Sequence, residues 1–283
     1  MSYLSNIFNV IAGTGLLVLG YKHYRATREL KRLRKINSEK KRITSDLLLA
    51  SQIQQSMMPL GHQILDKVEG YGTLVPAREI GGDLFDYAIR DGKLYMCIGD
   101  VCGKGAPAGM LMAYAQSMIW SLTVGESNPA RIVTSLNDLA SKDNVSCTFF
   151  TLFYGVLDLA TGRMQYCNAG HNPPYILSDD KLMILDCDPN QPIGPMENVE
   201  FTLQEVKLSP GSTIFLYTDG LTEANNTEGE EYGSERTEKV LADCVKRQLK
   251  PIDIVNTVTD AVHHFTEHAE QSDDMTMLAL RYM

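Results

Sequence analysis

The sequence predicts an α+β protein: an antiparallel β-sandwich flanked by helices, preceded by an N-terminal membrane helix and a long linker helix. Three observations carry this. Beyond residue 65, short apolar runs are separated by turn dipeptides, as in hairpin-connected strands. Helical segments come in blocks and do not alternate with single strands, as a parallel sheet would require. Aspartates sit at the ends of the apolar strands. With 283 residues, 44% hydrophobic and 22% charged, the chain lies near the globular average, which excludes a wholly disordered, collagenous or disulfide-scaffold protein.

The N-terminal region comes first. Residues 1–21 contain no Lys, Arg, Asp or Glu, and the uncharged stretch over 4–21 includes a dense apolar run at 16–19. About 20 helical residues span a hydrocarbon core of roughly 30 Å, so a single retained crossing is expected there. A cleaved leader fits less well, because no positive charge precedes the run and no small-x-small pattern follows it. Residues 22–42 carry ten basic against two acidic residues, a net of +8. By the positive-inside rule this places the C-terminal bulk in the cytoplasm, as a single-pass protein of the inner or cytoplasmic membrane.

From 25 to 58 there is no Gly or Pro, and good helix formers dominate until Pro59 and Gly61 end the run. Leu33, Lys40, Leu47 and Gln54 repeat every seven residues, as do Ile36, Ile43, Ala50 and Met57. That spacing describes either a short parallel coiled coil, and hence a homodimer, or a helix packed on its own domain. The expected division is a membrane-anchoring helix over 1–24, a linker helix over 25–60 and the folded domain over 61–283.

Within that domain, 86–90 and 93–100 flank Asp91-Gly92, a strong hairpin signal. A second pair, 148–158 and 164–168, is joined around Thr161-Gly162. Further strands are predicted at 175–177, 182–185, 201–208, 213–217 and 275–282, and helices at 106–124, 130–141, 236–250 and 252–269. Residues 43–283 hold 16 basic against 33 acidic residues, so this part repels nucleic-acid phosphates. Its carboxylates are therefore solvated or hold cations. The six cysteines form no C-x-x-C pair, which excludes a zinc ribbon and a thioredoxin-like motif and fits a reducing compartment.

The positions of the aspartates point to chemistry. Asp83 follows Gly81-Gly82 at a strand start, Asp100 ends the run 94–99, Asp219 ends 214–218, and Asp273 and Asp274 precede 275–280. Small neighbours let the backbone approach a shared ion. Hard divalent cations want oxygen ligands, and such a cluster could hold two of them about 3.5 to 4 Å apart. Any one of these aspartates alone would be an ordinary cap or turn residue.

The stretches Pro76-Ala77-Arg78-Glu79-Ile80-Gly81-Gly82-Asp83-Leu84-Phe85-Asp86, Gly99-Asp100-Val101-Cys102-Gly103-Lys104-Gly105, Asn168-Ala169-Gly170-His171-Asn172-Pro173-Pro174, Tyr217-Thr218-Asp219-Gly220-Leu221-Thr222-Glu223 and Asp273-Asp274-Met275-Thr276 occur in this order. Together they resemble the motif set of the SpoIIE/RsbU-like branch of the PPM family of metal-dependent protein serine/threonine phosphatases. The resemblance runs from about residue 49 to 282. It implies a sandwich of two antiparallel sheets with a two-metal site, Mn²⁺ or Mg²⁺, at one end. Asp100 would bridge the ions, Asp83 and the Val101 carbonyl would serve one, and Asp219 with Asp273 the other. Asp273 is preferred over Asp274, the second candidate in that pair.

The implied function is a membrane-tethered phosphatase acting on a phosphorylated signalling protein, such as an anti-sigma-factor antagonist. Two cations would activate water for in-line attack on the phosphoester, with Asp100 and Asp219 at the catalytic centre. Arg78 is either a bidentate phosphate donor or a surface residue on an edge strand. Asp86 is a candidate third-ion ligand or a turn carboxylate. Other branches of the family have His two residues after the bridging Asp, where this chain has Cys102, so the general acid is unassigned. His171 fits loop shaping better than proton donation, and His23, His62, His263, His264 and His268 show no ligand spacing. The alternatives from other classes are a non-catalytic phosphoprotein-binding module and a membrane scaffold.

Overall fold

The computed structural model of the chain describes residues 2–283 except 143, 145, 146, 179, 180 and 268, and only the backbone of residues 2–19. Of the histidines considered above, His268 lies outside the described residues. The chain divides into two units, Met1–Leu49 and Ala50–Met283. A single helix, α1 (Ser2–Ser56), makes up the first unit and enters the second. Leu33, Ile36 and Ile43 are exposed on it.

Among the described residues no helix is long and apolar enough to cross a membrane. The single crossing expected over 4–21 is therefore without support: Asn6, Asn9 and Thr14 place polar groups in the run, and each makes its transfer into hydrocarbon less favourable. The heptad reading also changes at its end. Gln54 is buried within the second unit, so it does not belong to an open helical seam.

The second unit is the expected sandwich. Its strands are β1 (Gly61–Leu65), β2 (Val68–Val75), β3 (Leu84–Arg90), β4 (Lys93–Val101), β5 (Phe150–Asp158), β6 (Arg163–Ala169), β7 (Tyr175–Ser178), β8 (Lys181–Ile184), β9 (Gln204–Lys207), β10 (Thr213–Tyr217) and β11 (Met275–Tyr282). One sheet has the order β1-β2-β11-β10-β7-β8, the other β3-β4-β5-β6-β9, and neighbouring strands are antiparallel. The β3–β4 turn is built as the sequence demands, with Asp91 at φ 51° and Gly92 at φ 73°. The strands β1 and β2, not predicted individually, pair at the edge of the first sheet.

Packing follows from the pattern of apolar residues. Phe85 of the second sheet lies so close to Gly72 of the first that a Cβ there would come within 2.3 Å of the ring. Strand β4 is buried over Leu94–Ile98 with little alternation, because the other sheet covers one of its faces and helix α2 (Ala106–Leu122) the other. Helix α3 (Pro129–Ser141) packs beside α2, with Asn128 capping its start through a 3.2 Å bond from the Arg131 amide. The outer face of the first sheet is covered by α5 (Gly233–Lys246) and α6 (Pro251–Thr266), whose Val255 and Val258 join Phe215 and Tyr175 in a second apolar cluster. Each fully buried side chain of this size contributes about 1.5–3 kcal/mol. Between β10 and β11 the one-turn helix α4 (Asp219–Thr222) marks the end of the sandwich where the aspartates meet.

Candidate metal centre

Four elements from two sheets deliver the carboxylates. Asp83 precedes β3 and Asp100 is the penultimate residue of β4, both in the second sheet. Asp219 opens α4 after β10, and Asp273 and Asp274 lead into β11, all belonging to the first sheet. Register fixes these ends together: Leu84 pairs with Gly99 and Tyr217 with Met277.

Asp83 is buried and binds the sheets to each other. Its Oδ2 accepts from Thr218 Oγ1 at 2.8 Å and from Thr276 Oγ1 at 2.6 Å, and Thr218 Oγ1 in turn accepts from the Thr276 amide at 3.0 Å. Burial, then the Asp100 charge, push the Asp83 carboxyl well above the usual range, against those two hydrogen bonds. Burial and the neighbouring Asp219 raise Asp100 to about 7. Asp219 is raised by burial and then by Asp273. Each carboxylate thus feels the next, a set of like charges short of positive partners. Among the described residues no three His, Cys, Asp or Glu side chains are drawn to metal-binding distance.

Close backbone approach completes the cradle. A Cβ at Gly82 would come within 2.7 Å of the Val101 carbonyl oxygen, and one at Gly220 within 2.0 Å of the Asp274 carbonyl oxygen. Only glycine fits either position. The Val101 carbonyl therefore lies against the Gly82 backbone, beside Asp83 and Asp100.

Asp274 is engaged otherwise. Its Oδ1 accepts from the Ala77 amide at 2.8 Å and its Oδ2 from the Gly82 amide at 2.6 Å, so it holds the loop before Asp83. Asp273, about one-third exposed, keeps its Oδ2 2.9 Å from Lys104 Nζ. Arg78 is exposed and, among the described residues, forms no ion pair with these carboxylates.

Asp86 is neither a turn residue nor free for an ion. It lies on β3, buried, and accepts from Gln116 Nε2 at 2.8 Å, from Trp120 Nε1 at 2.5 Å and from the Tyr87 amide at 2.8 Å. Cys102 extends the β4–β5 ladder: its amide donates to the Phe149 carbonyl at 3.0 Å, and its Sγ accepts from the Phe149 amide at 3.2 Å.

His171 is a buried strut. Its Nδ1 meets Thr151 Oγ1 at 2.8 Å, and its Nε2 donates to the Tyr217 carbonyl at 3.1 Å. Thr151 is the register partner of Asp100, and Tyr217 stands two residues before Asp219. Burial lowers the ring to about 4, so it stays neutral. Sequence reasoning missed the threonine clasp, although Thr218 and Thr276 each lie within three residues of an aspartate in the quoted motifs. It also missed Gln54, whose Nε2 donates to the Gly81 carbonyl at 2.6 Å and whose Oε1 accepts from the Gly81 amide at 3.2 Å.

A helix-flanked pair of antiparallel sheets with aspartates gathered at one end defines the architectural class of the PP2C-type phosphatases. A family model described as Stage II sporulation protein E (SpoIIE) matches residues 90–283, and the chain belongs to that family. The match begins after Asp83. Protein IcfG of Synechocystis sp. is 29% identical over 257 residues, covering 81% of this chain and 40% of the relative. Phosphoserine phosphatase RsbU of Bacillus subtilis is 25% identical over 205 residues, covering 72% of this chain and 60% of the relative. The chain thus spans less than two thirds of either relative's length. Among solved structures, the SiaA-PP2C domain of Pseudomonas aeruginosa superposes with a TM-score of 0.73 at 24% identity, over 86% of this chain and 98% of that one.

Proposed function

We propose that this chain is a metal-dependent phosphatase that hydrolyses phosphoserine or phosphothreonine on a signalling protein. The observation that carries the proposal is the convergence of Asp83, Asp100, Asp219 and Asp273 at the joined ends of two sheets, each raised by burial or by its neighbours or held by a lysine. An all-oxygen donor set of this kind suits Mn²⁺ or Mg²⁺. The name of RsbU, a phosphoserine phosphatase, supports the choice of substrate class.

In this proposal Asp83, Asp100, Asp219 and Asp273, with the Val101 carbonyl, would hold the divalent ions, Asp100 at the centre of the set. Asp274 is assigned to holding the loop over 77–82. The cations, when bound, neutralise phosphoryl oxygens and lower the pKa of water. The chain's own residues supply position: Thr218 and Thr276 fix Asp83, and His171 ties β5, the neighbour of the strand bearing Asp100, to the strand leading to Asp219. Three finer elements belong to the same proposal. The +8 segment at 22–42 attaches the chain to an anionic membrane surface, the catalytic part is cytoplasmic, and two copies pair along the exposed Leu33, Ile36 and Ile43.

Hydrolysis of p-nitrophenyl phosphate by the full chain tests the activity. It is expected to rise with added Mn²⁺ and to stop with a chelator, and chelator-insensitive turnover would sink the proposal. Fractionation tests the attachment: the chain should pellet with membranes at low salt, and a chain found wholly in the supernatant contradicts it.

A further inference from the structure

We propose that a cleft at the end of the sandwich opposite the aspartates binds a small amphipathic carboxylate. The inference goes beyond the phosphatase function and does not depend on it. The cleft has a volume of about 310 Å³ and is lined by the far ends of β7, β10 and β11 and by the turn between α5 and α6. That size lies at the lower end of small-molecule sites. Asp219 follows β10 and Asp273 precedes β11, whereas Thr213 and Arg281, a register pair, stand at the opposite ends of the same strands. At roughly 3.3 Å per residue the two places are about 20 Å apart.

Arg281 is the one charged side chain that lines the cleft. Its Nε donates to Thr213 Oγ1 at 3.2 Å and its Nη2 to the Leu249 carbonyl at 2.5 Å, which fixes the guanidinium plane. The turn that presents this carbonyl is itself held: Gln248, at φ 52°, closes α5, and the Leu249 amide donates to the Cys244 carbonyl at 3.1 Å. Both partners of the guanidinium are neutral. Among the described residues no carboxylate pairs with Arg281, and Glu69, opposite it in the ladder, meets His62 at 2.9 Å instead. Its Nη1 makes no hydrogen bond among the described residues. A half-buried guanidinium ordinarily has a counter-charge, and this one lines an open cleft.

The walls define what supplies that charge. A carboxylate has two oxygens that accept from a guanidinium edge, and one fixed cation matches its single negative charge. A phosphate dianion would bring two charges to the same cation. Leu177, Val245 and Ile254 offer aliphatic surface beside Arg281, so the body of the ligand is apolar. Lys246 and Lys250, which flank the turn in sequence and form no ion pair among the described residues, add positive field in a unit otherwise rich in acid.

Hexanoate is the probe, with hexanol as its uncharged analogue and hexyl phosphate as its phosphate analogue. NMR titration of the full chain measures each in the parent, Arg281→Gln, Ser178→Phe and Asp100→Asn. The parent should bind hexanoate with a Kd on the order of 1 mM, the range open to about eight non-hydrogen atoms, and hexanol about tenfold more weakly. Arg281→Gln should weaken hexanoate about tenfold, the loss of a charge-assisted hydrogen bond. Because that exchange also removes two hydrogen bonds within the fold, Ser178→Phe supplies a second route: it fills the cleft with Arg281 in place and should weaken hexanoate as much. Asp100→Asn should bind hexanoate as the parent does, since the aspartates lie at the other end. The inference is overturned if the parent binds no hexanoate, if hexanol binds as tightly, or if hexyl phosphate binds about tenfold more tightly. Parent-like binding by folded Arg281→Gln or Ser178→Phe overturns it as well, as does loss of binding in Asp100→Asn, which would put hexanoate at the metal centre.

Discussion

At the scale of single residues, the aspartates divide by what their oxygens already hold. Asp83 spends Oδ2 on two threonines and Asp274 spends both oxygens on backbone amides, whereas Asp219 and Asp273 sit at a half-open rim. Replacing Asp219 or Asp273 by Asn should therefore abolish metal-dependent turnover without unfolding the protein, because it removes repulsion and creates no cavity. Full activity in either variant, with an unchanged melting temperature, contradicts the assignment. His171 makes a different prediction. Its ring lies at about 4 in the fold against about 6.5 ordinarily, so the unfolded chain binds the extra proton between those values. Its contribution is complete above pH 6.5 and is lost as pH falls toward 4, amounting to about 3 kcal/mol. Asp83, Asp100 and Asp219 are raised in the fold by burial and by one another, and so act in the opposite sense on acidification. The difference between the parent and His171→Gln isolates the ring: the parent should lose stability relative to the variant on acidification, and parallel pH profiles would show that the ring does not titrate as described.

At the scale of elements, the end of α1 is the informative piece. Gln54 brackets Gly81 from both sides, and Gln116 Nε2 bonds the Met57 carbonyl at 2.7 Å as well as Asp86. The last turn of this helix is thus tied to the loop that carries Asp83. Gln54→Ala strands a buried carbonyl and amide, which costs about 1–3 kcal/mol. The expected outcome is a lower melting temperature and weaker Mn²⁺ binding measured by calorimetry, and a variant matching the parent in both would show that the tie is idle. Hairpins and helices were legible in the sequence where local chemistry dictated them: Asp91-Gly92 demands its turn, and 213–217 and 275–282 match β10 and β11 residue for residue. The predicted strand at 201–208 shrinks to Gln204–Lys207, because Phe201 turns into the core beside α3 and leaves the ladder. At Gln54 the second of the two readings of the repeat holds, a helix packed on its own domain, and a heptad count alone cannot choose it because it does not tell a helix partner from a loop packed against the same face. The threonine clasp was invisible for a similar reason, since its members are brought to Asp83 from 135 and 193 residues away.

At the scale of the molecule, charge and topology agree. Residues 43–283 carry an excess of acid, and the fold concentrates part of it where the two sheets end together. Neither sheet alone makes the centre: the second contributes Asp83 and Asp100, the first Asp219 and Asp273, and Asp83 with its threonines and His171 with its two partners bridge them. Integrity of the sandwich is therefore a condition for ion binding, and ions should raise the melting temperature by mass action. The most direct test is phosphate release from a phosphoserine-bearing protein by the full chain, parent and Asp100→Asn side by side, as Mn²⁺ is titrated. Release that saturates with Mn²⁺ in the parent and is absent in Asp100→Asn at every concentration is the predicted result. Equal release by both proteins, or release from the parent that ignores Mn²⁺, would contradict a centre in which Asp100 holds the ions.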